Sequence, residues 1–70
     1  MTLGENIKML RESKYMSILD LEELTGLSKS DICQIERDTI NPTLDIFDTI
    51  DKIAHALNKT TGELLYSDNK

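Results

Sequence analysis

Apolar residues recur at three- and four-residue intervals along this chain, and no segment alternates with a period of two for long enough to suggest a sheet. Leu3, Ile7 and Leu10 fall on one helical face with Met9 opposite, which predicts a first helix from Leu3 to Ser13. Thr2 stands at its N-cap, and Glu5 completes a capping box. Residues 14 to 16 read as a short turn, followed by a second helix over 18–25 and a third over 29–37. Residues 38 to 42 form a loop, because Pro42 cannot continue a helix and restricts Asn41. The cleanest amphipathic pattern comes next. Ile46, Phe47, Ile50, Ile53, Ala54 and Leu57 share one arc, and Asp45, Asp48, Asp51, Lys52 and His55 share the other. It predicts a fourth helix over 44–57 with Thr43 as cap. Thr60 and Glu63 form a last capping box, opening a short fifth helix to Tyr66. The polar residues 67–70 read as a frayed tail behind a single domain over 1–66.

The expected fold class is therefore all-α, a compact five-helix bundle. Ile7, Leu10, Leu21, Leu27, Ile32, Ile35, Phe47, Ile50, Ala54 and Leu57 are expected inside it.

Residues 17 to 36 carry the most specific pattern. Ser17 precedes Asp20 by three residues, and Ser28 precedes Asp31 likewise, so each of two short helices opens with a serine able to accept a free backbone N–H while the acid reaches back. Gly26 lies just past the first of them, where a sharp turn needs a left-handed residue. Leu21, Leu27, Ile32 and Ile35 are spaced to meet between the two helices. This is a helix-turn-helix pattern, whose second helix is the one that enters a DNA major groove. With Ile32 and Ile35 turned inward, Lys29, Ser30, Cys33, Gln34 and Arg37 fall on the opposite arc. Gln can pair bidentately with adenine and Lys with guanine. A merely solvated face carries similar residues, so the inference rests on their register with Gly26 and Ser28.

From Leu3 to Leu65 the chain resembles the Xre-type (Cro/cI-type) helix-turn-helix family of phage-type repressors. The resemblance runs through 3–7 and Leu10-Arg11-Glu12, then 24–30, Ile32 and Ile35-Glu36-Arg37. It continues through Asn41-Pro42-Thr43-Leu44 and Lys52-Ile53-Ala54-His55-Ala56-Leu57, and closes on Glu63-Leu64-Leu65. It implies a five-helix lambda-repressor-like domain and an ion pair between Arg11 and Glu36 that clips the recognition helix to the first helix. Four departures stand out. Glu22 replaces a small alanine that packs on the recognition helix, and Ile18 replaces a glutamine that touches the DNA backbone. Asp38 replaces a glycine, and the stretch from Pro42 to Leu57 is lengthened by about one turn.

Charge complicates this picture. The 70 residues carry a net charge of −5, whereas DNA affinity rests largely on Lys and Arg at phosphates. Weak non-specific binding and dependence on a dimer are expected. A core of this size rarely supplies more than about 3–5 kcal/mol, and a single recognition helix reads few bases. Leu65 and Tyr66 are the candidate dimer contacts. The single Cys33 forms no internal disulfide and fits a reducing cytoplasm, and neither a signal peptide nor a membrane span is visible.

Nothing in the chain points to an enzyme: there is no nucleophile–base pair, phosphate loop or metal-ligand cluster, and Glu22 and Glu23 point in different directions. No cofactor or metal is expected. His55 reads as a surface residue, and Cys33 as a small base-facing residue rather than a redox sensor.

The expected function is transcriptional regulation by a homodimer that reads double-stranded operator DNA; the resemblance implies repression, and activation is equally compatible with these residues. Lys29, Ser30, Cys33 and Gln34 would face bases; Ser17, Ser28, Arg37, Thr39 and Asn41 would contact or orient phosphates. The alternative is an antitoxin-like or other protein-binding module on the same fold, favoured by the acidic balance, Ile18 and the lengthened fourth helix.

Overall fold

The computed structural model describes residues 2–39 and 46–65. They contain α1 (Leu3–Ser13), α2 (Ile18–Thr25), α3 (Lys29–Glu36), α4 (Ile46–Ala56) and α5 (Thr61–Leu65), and all regular structure among the described residues is helical. The first two helices have the expected bounds. The third stops one residue early, with Arg37 as its C-cap. The expected positions of Leu44 and Thr43 at the start of the fourth helix, and of Tyr66 at the end of the fifth, lie outside the described residues, as does the tail.

The helix starts follow from local chemistry. Thr2 and Glu5 exchange the two bonds of a capping box, as do Ser17 with Asp20 and Thr60 with Glu63. The start of α3 is simpler than expected. Ser28 Oγ accepts from the Asp31 amide at 3.1 Å, but among the described residues Asp31 does not reach back. The helix ends were less legible. Tyr15, Asp38 and Asn58 adopt φ of 56°, 61° and 60°, each two residues past the end of its helix. At all three the chain closes with paired backbone bonds, such as Met16 N–H to Arg11 C=O and Tyr15 N–H to Glu12 C=O, which is the Schellman arrangement. Three helices therefore stop without a glycine.

The core consists of Ile7, Leu21, Ile32, Ile35, Ile50, Ile53, Ala54, Leu57 and Leu64. α3 packs on α1 and α2, α4 on α2 and α5, and α5 closes back onto α1. Asn6 fastens that closure from inside: its amide donates to the Leu64 carbonyl at 3.0 Å, which satisfies a C-terminal carbonyl of α5. Leu10 and Leu27 are half-buried at the edge of the core rather than within it. Phe47 corrects the expectation outright, being 75% exposed. The buried arc of α4 is rotated toward Thr49, which is 3% exposed, and Phe47 falls past its other edge. No helix among the described residues is long and apolar enough to cross a membrane.

Candidate nucleic-acid interface

The turn between α2 and α3 is built from short-range bonds. Gly26 takes φ of 77° and donates its N–H to the Glu22 carbonyl at 2.8 Å. The Thr25 hydroxyl donates back to the Leu21 carbonyl at 2.7 Å and accepts from the Leu27 amide at 3.1 Å. The amides of Gly26 and Leu27 and the Thr25 hydroxyl thereby all find partners inside the corner itself. Leu21, Ile32 and Ile35 are buried together beneath it, which fixes the rotation of α3 about its axis.

That rotation turns Lys29 and Ser30 to solvent and leaves Cys33 and Gln34 half-buried. Gln34 Nε2 lies 3.4 Å from Ser30 Oγ, one helical turn away, so its amide is lightly held. Arg37 and Thr39 are exposed at the C-terminal end. Ser17 and Ser28 are exposed at the N-caps of α2 and α3, each hydroxyl engaged by an amide of its own helix. Asn41 lies outside the described residues. Glu22, which stands where the family has a small alanine, is half-buried.

α3 is held to α1 at three points. Arg11 Nε donates to Glu36 Oε2 at 2.7 Å and its Nη2 to Oε1 at 3.2 Å, a two-toothed pair whose side chains are 10% and 7% exposed. The remaining terminal nitrogen of Arg11 donates to the Met16 carbonyl at 2.7 Å, so the same guanidinium also braces the α1–α2 turn. The bond to Glu36 raises the Arg11 pKa above its ordinary value, against the opposing effect of burial. At Gly4, a Cβ would stand 2.4 Å from the Ile35 carbonyl oxygen and 2.6 Å from that of Glu36, so this close crossing admits only glycine. Asp38 supplies the third point: its carboxylate accepts from the Thr2 hydroxyl at 2.6 Å and the Gly4 amide at 2.8 Å.

The Asp38 carboxylate, beside the C-terminus of its own helix, opposes that helix's dipole. In the structure it faces the N-terminus of α1, where a negative charge meets the positive end of the dipole and a free N–H. The Thr2 hydroxyl and then the Gly4 amide draw its pKa below the ordinary aspartate range. The tertiary roles of Asn6 and Gly4 and the pairing of Thr2 with Asp38 carry no sequence signal of their own, because each depends on a helix crossing. Lys8 was also missed. It lines a surface recess of about 240 Å³ with Arg11, Ile18, Cys33, Glu36 and Arg37, bringing α1 beside the outward face of α3. Its three-residue spacing from Arg11 was the available clue.

A helix-turn-helix domain family matches residues 4–67, nearly the whole chain. The chain belongs to this helix-turn-helix domain family. It is also similar to the immunity repressor protein of Bacillus phage phi105, with 39% identity over 57 residues. That match covers 81% of this chain but only 38% of the phage repressor, so this helix-turn-helix chain spans well under half of its relative's length. No solved structure matches.

Proposed function

We propose that this helix-turn-helix chain is a DNA-binding transcriptional repressor that acts as a homodimer, with α3 in the major groove. The observation that carries the reading is the rotation of α3. Ile32 and Ile35 are locked inward, while Lys29, Ser30 and Gln34 are left on the accessible arc. Lys29, Ser30, Cys33 and Gln34 face bases in this reading, with Ser17, Ser28, Arg37, Thr39 and Asn41 at phosphates. Arg11 and Glu36 set the angle of α3 and read no base. The similarity to a phage immunity repressor supports repression as the output, achieved by occupying an operator and excluding polymerase. Leu65, 41% exposed on α5, supports a dimer contact at that end of the molecule; Tyr66, the other candidate contact, lies outside the described residues.

Selection of bound sequences from a pool of random duplexes tests this directly. An enriched motif with two half-sites is expected; no enrichment even at low salt overturns the groove-reading role. One observation favours a second reading, a protein-binding module of antitoxin type. Leu19, Leu24 and Phe47 are 61%, 59% and 75% exposed on α2 and α4, on an acidic protein. Enrichment of no DNA sequence, together with stoichiometric binding of a purified partner protein, would favour it.

A further inference from the structure

The recess beside the outward face of α3 gathers Lys8, Arg11 and Arg37, three of the chain's eight Lys and Arg residues, on a protein of net charge −5. One carboxylate, Glu36, also lines it, and both of its oxygens are bound by Arg11. Among the described residues, Lys8 and Arg37 make no ion pair. Both are exposed, so their ammonium and guanidinium groups remain available at the mouth. Ile18 and Cys33 complete the lining. The Ile18 side chain offers no hydrogen bond, so the side-chain donors that meet an anion seated here come from α1 and α3.

Cys33 and Arg37 belong both to this recess and to the outward arc of α3. A ligand running along that arc therefore passes over the recess. From this we infer that Lys8 and Arg37 hold two successive DNA backbone phosphates at the recess, with Ile18 as an apolar wall beside the sugar between them. The assignment rests on the proposal that α3 lies in the major groove, and it makes Lys8 a positioning residue from outside the helix-turn-helix. A phosphate contact carries no base information, so the contribution of Lys8 is the same for every sequence.

The test is a salt series with the full chain and a mixed-sequence duplex of roughly thirty base pairs, read by fluorescence anisotropy. Losing one phosphate contact lowers the slope of log affinity against log salt by about 0.9. Lys8→Gln should do this once per bound protomer, so for each protomer its affinity changes about three- to four-fold less between 50 and 200 mM salt than that of the unmodified chain. Lys8→Arg should restore the slope. Lys52→Gln, which removes a cation paired to Asp48 on α4, should leave it unchanged. Lys8 is exposed, so unaltered thermal melting of Lys8→Gln is expected and is checked alongside. If the unmodified chain binds the duplex and Lys8→Gln keeps its full slope, the phosphate site is wrong while the groove reading stands. If the unmodified chain binds no duplex at low salt, both fall.

Discussion

At the scale of single residues, backbone conformation decides more than side-chain identity suggests. Tyr15 is 96% exposed and sits at φ of 56°, so it contributes strain without packing. Tyr15→Gly should stabilise the fold by up to about 1 kcal/mol, seen as a higher urea midpoint with an unchanged slope. Gly4→Ala should do the opposite. Alanine favours a helix interior, yet its Cβ would overlap two α3 carbonyl oxygens, and a loss of about 1–3 kcal/mol is expected on the same assay. Asp38 gives a pH signature. Its folded pKa lies below the unfolded value of about 3.9, so its stabilisation is complete above that value and fades as pH falls through the folded one. The difference in urea midpoint between the wild-type chain and Asp38→Asn should therefore be present at neutral pH and close in acid.

At the scale of elements, the fixed object is α3. Arg11 and Glu36 are both largely shielded, so removing either partner leaves a buried charge, at a cost of about 3–5 kcal/mol. A double-mutant cycle between Arg11→Met and Glu36→Gln should show coupling well above the ~0–1 kcal/mol of a surface pair. On the outward arc, substitutions should divide by role. Gln34→Ala and Lys29→Ala should each relax base preference at particular positions by about 1–3 kcal/mol. Arg37→Ala should weaken all sequences alike and reduce the salt slope by about one unit.

At the scale of the whole molecule, charge sets the terms. With a net charge of −5, the protein repels DNA except where its cations cluster, which makes a second copy the natural source of further contacts. Leu65→Glu should weaken self-association in sedimentation without lowering the monomer's melting temperature, because Leu64 rather than Leu65 fills the core. If two recognition helices enter successive major grooves, the selected half-sites should lie about 34–36 Å apart. A monomer at high concentration both with and without DNA would remove this arrangement.

The sequence alone determined the features that local chemistry controls. Serine and threonine caps placed the starts of α1, α2, α3 and α5, since a hydroxyl meets an amide within its own first turn. Apolar spacing turned Ile32 and Ile35 inward, and so chose the outward arc of α3. The resemblance, not the spacing, brought Arg11 and Glu36 together. Tertiary structure decided whatever depends on one helix crossing another. Phe47 has the periodicity of a core residue, but burial requires a neighbour opposite it, and the packing of α4 was rotated toward Thr49. Asp38 is locally out of place and becomes favourable only because the N-terminus of α1 arrives beside it. Lys8 joins Arg37 across a recess that spans 29 positions of sequence. A one-dimensional pattern records what lies within a few residues along a helix, and only folding sets the distance between residues that far apart.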